Sequence, residues 1–141
     1  MHYMNQQRER KDLFMFKANR YVETLINADE MLKDFGNDFL VVSVREYKGK
    51  PEKGLPSGAS FTLQVLHDAS PVEAGKENNL MEQFEVTVPG AKYPSDIKRG
   101  DHVRLGKFMP EASYYIKYSL ILRFGEIQKI QPSTGGSNAK G

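Results

Sequence analysis

The sequence predicts a mainly β fold of five short strands with a helix ahead of them, and three observations carry that prediction. From Phe39 onward apolar side chains alternate with polar ones, in runs rich in β-branched and aromatic residues, which is the period of a half-buried strand. Those runs are bounded by turn-forming residues at Gly49 to Pro51, Pro56 to Gly58, Pro89-Gly90 and Arg99-Gly100-Asp101. Before Phe39 the spacing differs: Tyr21, Val22, Leu25, Ile26, Met31, Leu32 and Phe35 recur mainly at threes and fours. A chain of 141 residues, 39% of them apolar, suffices for one such domain with an attached arm. These boundaries divide it into an N-terminal arm and helix (1–38), a β domain (39–130) and a flexible C-terminal tail (131–141).

Met1 to Asp12 reads as a polar tail, interrupted by the apolar tetrad Leu13-Phe14-Met15-Phe16. At about 25 cal/mol per Å² of apolar surface, burying four such side chains is worth several kcal/mol, so the tetrad is expected to dock on its own domain or on a neighbouring subunit. A helix is expected over Ala28 to Phe35, where Asn27 and Glu30 have the spacing of a capping box and Gly36 supplies a stop. Its periodicity extends back through Tyr21. The first strand is Phe39 to Tyr47, and a Gly/Pro loop leads to the second, Ser60 to Leu66. A polar loop, His67 to Asn79, precedes a third strand from Met81 to Val88. Tyr93 to Ile97 is expected to form a short helical turn before a fourth strand at His102 to Leu105. The last β segment, Tyr114 to Ile130, is expected to break or bend at Gly125, and Pro132 to Asn138 is too polar and flexible to pack. Core candidates are Leu40, Val42, Val44, Phe61, Leu63, Val65, Phe84, Val86, Val88, Val103, Leu105, Leu120 and Leu122. Five short strands with a helical insertion between the third and fourth is the order of an OB-fold, a partly open Greek-key barrel. An SH3-like barrel and a small sandwich share much of this pattern; the short helix before Gly100-Asp101 favours the OB-fold.

Composition narrows the chemistry. There are no cysteines, hence no disulfide, thiolate metal site or cysteine nucleophile. The longest apolar runs have four residues, so no membrane-spanning helix is expected. The polar start is not that of a secretory signal, and a cytoplasmic location is the expectation. His2, His67 and His102 lack metal-ligand spacing, and no cofactor or metal is expected. Gly49 to Gly54 lacks the spacing and terminal Lys-Ser/Thr of a phosphate loop, and there is no Gly-x-Ser-x-Gly elbow. The carboxylate pairs Asp29-Glu30 and Glu82 with Glu85 read as solvated charge, so the protein is not expected to be an enzyme.

A binding role is the stronger reading, because basic and aromatic residues coincide. The formal net charge is only +2, but residues 92–141 hold 9 Lys/Arg against 4 Asp/Glu. A smaller cluster, Lys48, Lys50 and Lys53, follows Tyr47. His102, Arg104 and Lys107 alternate with Val103 and Leu105, and Tyr114, Tyr115 and Tyr118 surround Lys117. Unpaired nucleic acid needs cations along its phosphates and planar faces for its bases. The candidate binding residues are therefore Tyr47, Lys48, Lys50, Arg104, Lys107, Tyr115, Lys117 and Arg123; Tyr115, Lys117 and Arg123 would share one face of a continuous strand.

The segment Ile97-Lys98-Arg99-Gly100-Asp101-His102-Val103-Arg104-Leu105-Gly106, followed by Tyr118 to Ile130, resembles the single-stranded DNA-binding OB-fold proteins, in which a lysine-glycine-aspartate-x-valine type of turn opens the fourth strand. Phe39 to Ile130 as a whole is similar to small OB-type accessory proteins of conjugative plasmids and integrative elements, which coat or hand over single-stranded DNA. The chain departs from housekeeping bacterial single-strand-binding proteins in lacking tryptophan, in its helical extension and in ending Asn138-Ala139-Lys140-Gly141 rather than in an acidic hydrophobic tip. The resemblance implies a non-catalytic single-stranded DNA-binding protein with little sequence preference, coating DNA cooperatively in conjugative transfer or replication. RNA remains an alternative ligand. Leu13, Phe14, Met15 and Phe16 would then make the contact of a homo-oligomer. The alternative from another class is a protein–protein module of a secretion or replication complex.

Overall fold

The computed structural model describes residues 26–71, 77–116 and 119–131. The tetrad Leu13 to Phe16, the extension of the helix back through Tyr21, and Lys117 lie outside them. In order, the elements are α1 (Ala28–Phe35), β1 (Phe39–Tyr47), β2 (Gly58–Val65), β3 (Gln83–Pro89), β4 (His102–Phe108), β5 (Tyr114–Ile116) and β6 (Ser119–Ile130). Single 3-10 turns occupy Pro51–Lys53 and Pro110–Ala112.

Helix α1 has the ends its sequence calls for. The Glu30 amide donates to the Asn27 Oδ1 at 3.1 Å, and the Asn27 Nδ2 donates to the Glu30 carboxylate at 3.0 Å. Gly36 turns left-handed at φ +71°, a conformation glycine adopts without steric cost. Ala28, Met31 and Phe35 are buried on one face. The Phe35 ring meets Phe39 nearly edge-on at 6.2 Å and Phe84 at 6.5 Å, so the helix closes the end of the sheet where β1 and β3 begin.

The sheet closes into a ring. β1, β2 and β3 form an antiparallel meander. β4 runs antiparallel to β1 at Phe39↔Val103 and Leu40↔His102, and antiparallel to β6 from His102↔Ile130 to Phe108↔Phe124. β6 returns to β3 through a short parallel pairing, Val86↔Leu122 and Thr87↔Arg123. The neighbour order around the ring is thus β1-β2-β3-β6-β4, with β5 attached outside it as a hairpin on β6. The seam between β1 and β4 is short, and a side chain extends it. Asn37 Nδ2 donates to the Leu105 carbonyl at 2.9 Å while the Leu105 amide donates to Asn37 Oδ1 at 2.8 Å. Asn37, at φ +48°, is one of the few residue types that tolerate this conformation.

Four expectations need correction. Six strands form rather than five, because the chain reverses between Ile116 and Ser119, setting Tyr115 opposite Leu120. No Gly, Pro, Asn or Asp marks that reversal, whereas at Gly125, where a break or bend is expected, β6 runs on without a break. A Cβ at Gly125 would lie 3.1 Å from the Cβ of Lys107, whose own φ is +57°; the glycine makes room across the ladder. In β1 the inward residues are Phe39 and Val41, not Leu40 and Val42. A bulge between Val41 and Ser43 then shifts the register, returning Val44 to the inner side opposite Phe61. Finally, Tyr93 to Ile97 is irregular rather than helical. The Ile97 amide donates to Ser95 Oγ at 2.9 Å instead of entering a helical ladder. The other core candidates are buried, with Leu120 partly buried against them.

Candidate functional site

The outward side of the β1–β3 meander is polar. By alternation with inward Ala59, Phe61, Leu63, Phe84, Val86 and Val88, it carries Ser60, Thr62 and Gln64 on β2 and Gln83, Glu85 and Thr87 on β3. Beyond the bulge, β1 adds Ser43, Arg45 and Tyr47. Arg45 reaches across β2 to Glu85, with Nε donating at 2.9 Å and the second nitrogen at 2.6 Å, so the middle of this face is electrically balanced. Charge appears at its end, in the loop after Tyr47. Lys48 and Lys53 are exposed and Lys50 is half-buried. The loop is pinned: the Lys50 amide donates to the Leu55 carbonyl at 2.9 Å and the Leu55 amide to Lys50 at 3.1 Å. A Cβ on Gly49 would come within 2.8 Å of that carbonyl, so a glycine is needed at the approach.

Tyr47 and Arg123 meet on this face. Arg123 sits beside Thr87 across the parallel pairing, while its neighbours Leu122 and Phe124 point inward. It is 5% exposed, its guanidinium lies 5.6 Å from the centre of the Tyr47 ring, and one terminal nitrogen donates to the Ala112 carbonyl at 2.7 Å. Ser60 and Thr87 share a 2.8 Å hydroxyl contact nearby, and Ser60 is buried although it faces outward. The hairpin that flanks this cluster carries Tyr114, exposed at 37%, and Tyr115, half-buried.

The structure therefore brings Tyr47, Lys48, Lys50 and Arg123 to one end of the meander. Arg123 is there for a different reason than strand parity, since the reversal after Ile116 breaks the face it was expected to share with Tyr115. Nor does it present its charge to solvent as expected. Arg104 and Lys107 are exposed on β4, whose ladder with β1 is confined to its first two residues, and they form a separate basic stretch of the ring. Where β3 and β6 part, an open cleft of about 320 Å³ reaches Phe61 between Val88 and Ile127; its rim mixes Lys92 with Asp96 and Glu126.

Two histidines that lack metal-ligand spacing in sequence converge on one buried carboxylate. His102 Nδ1 lies 2.9 Å from Asp38 Oδ1, and His67 Nε2 lies 3.6 Å from Asp38 Oδ2. They join the end of α1, the start of β4 and the loop after β2 across 64 residues of sequence, a separation that leaves no local signal. Among the described residues, no group of three His, Cys, Asp or Glu side chains is placed to hold a metal ion, and no helix is long and apolar enough to cross a membrane.

No family model, curated protein or solved structure matches the chain. The geometry stands alone.

Proposed function

We propose that this protein is a non-catalytic binder of single-stranded nucleic acid, DNA in the first instance, built on an OB-type barrel. The observation that carries the reading is the order in which the sheet closes: a three-stranded meander, a parallel contact from its third strand, and an antiparallel return to its first. That order supports a Greek-key closure of the OB type, and in OB-folds the second and third strands with the loops beside them form the oligonucleotide surface. Here the same region has a polar face, a lysine-bearing loop at Lys48 to Lys53, and a hairpin presenting Tyr114 and Tyr115. Lysines can track phosphates without reading sequence, and a tyrosine face accepts any base.

Fluorescence anisotropy with a labelled oligo-dT, measured at several salt concentrations, tests this. Binding should weaken as salt rises, with log K falling by about 0.7 per phosphate contact for each unit of log salt. Lys48→Ala should reduce that slope by about 0.7, whereas Tyr114→Ala should weaken binding at every salt concentration and leave the slope alone. Absence of binding at low salt ends the proposal.

Assembly belongs to the same proposal. The tetrad Leu13 to Phe16 would dock on a neighbouring subunit, making a head-to-tail contact that lines copies up along a strand. Removing residues 1–17 should then abolish large assemblies in light scattering and lower the cooperativity of binding. If the truncated protein is insoluble, the tetrad belongs to its own subunit's core. The alternative reading, a protein–protein module, draws on Leu80 and Met81, which are 48% and 59% exposed side by side before β3.

A further inference from the structure

Two polar atoms are buried without a hydrogen-bond partner among the described residues, and they belong to the same cluster: the Tyr47 hydroxyl and Arg123 Nε. Such groups are rare, because each forfeits its bonds to water and gains none in return. The arginine is the more telling of the two. A guanidinium 95% removed from solvent normally faces a carboxylate. Arg123 forms no ion pair with any described residue; it has one carbonyl, from Ala112, and the face of the Tyr47 ring. These contacts hold the guanidinium plane in place and leave its charge unmatched. The acidic side chain on the outward face of the meander, Glu85, is engaged by Arg45. Hydrophobic collapse does not account for the residue either, since Leu122 and Phe124 on either side already fill the core and Arg123 points the other way.

We propose that Arg123 and Tyr47 form a receptor for a single phosphate oxygen, with Arg123 Nε–H and the Tyr47 hydroxyl as its two donors and the guanidinium charge as its counter-ion. This deepens the nucleic-acid reading and rests on it. The ligand is one phosphodiester group of a bound strand; both donor atoms are closed to solvent in the free protein, so it reaches them as the side chains covering the outward side of β6 move aside. Both donors are presented by strands rather than by loops, and charge-assisted bonds made there are stronger than at exposed lysines. The site would fix one nucleotide in register while Lys48 and Lys50 hold the neighbouring phosphates diffusely.

The test is a titration of the full-length, ¹⁵N-labelled protein followed through its arginine Nε–H resonances, with Arg45, Arg99 and Arg104 as internal references. The Arg123 Nε–H, unbonded in the free protein, should shift strongly downfield as oligo-dT is added, and Tyr47→Phe should reduce that shift and weaken binding roughly tenfold. If backbone amides respond to the oligonucleotide while the Arg123 resonance stays put, the receptor is wrong and the nucleic-acid reading survives. If no resonance responds at low salt, the nucleic-acid reading itself falls. A parallel titration with inorganic phosphate separates the sources. A shift saturating at the same concentration as with oligo-dT would assign the site to free phosphate and overturn the strand-anchoring role.

Discussion

Asp101 shows how a single turn residue acquires a pH signature. Its carboxylate accepts from the Lys98 amide at 2.8 Å, and Lys129 approaches to 3.6 Å. The backbone bond first, and the lysine charges after it, hold its pKa below the ordinary carboxylate value despite an opposing desolvation effect. A carboxylate that binds its proton less readily when folded stabilises the fold above the unfolded pKa of about 3.9, and that stability is lost as pH falls through the lowered value. Asp101→Asn should therefore melt below wild type at pH 7, and the gap between the two melting curves should close toward pH 2. A constant gap across that range would mean that the charge is immaterial to the turn. At this scale the sequence was only half legible. The Arg-Gly-Asp turn could be read locally, but Asn37, Asp38 and the setting of Arg123 depend on contacts up to 68 residues away, which no spacing rule reaches.

Among the elements, α1 was readable to the residue because both of its ends are signalled by side chains in direct sequence with it. β2 and β3 were readable from their alternation, which follows from having one face on the core. β1 was placed correctly but faced wrongly, since a bulge changes parity without changing composition. The β5–β6 hairpin carried no turn signal at all. The helix is more than an appendage, because Phe35 packs against both Phe39 and Phe84, which also meet each other. Phe35→Ala should cost about 3–5 kcal/mol in urea unfolding, against about 1 kcal/mol for Asn27→Ala, which removes only the cap. Equal losses for the two variants would show that α1 does not close the end of the sheet. β2 has its own fixed point at Gly58, where a Cβ would come 2.2 Å from the Val88 carbonyl; the backbone crossing there admits no side chain.

The whole molecule is a ring whose joints are unequal. Seven paired positions join β2 to β3, whereas two join β1 to β4 before Asn37 takes over with its side chain. Those last contacts are also the ones farthest apart along the chain, so they carry the largest loop-closure cost and little local structure helps to form them. The ring should therefore assemble from its meander, with the β1–β4 seam zipped only after the main folding barrier is crossed. Asn37→Gly keeps the left-handed backbone and deletes the two hydrogen bonds, at a cost of about 2 kcal/mol. In stopped-flow chevrons that loss should appear almost wholly as faster unfolding, about thirtyfold, with the refolding rate nearly unchanged. Asn37 then sets how long the closed ring lasts, not how quickly it forms, and a refolding limb slowed by the same factor would place ring closure before the barrier.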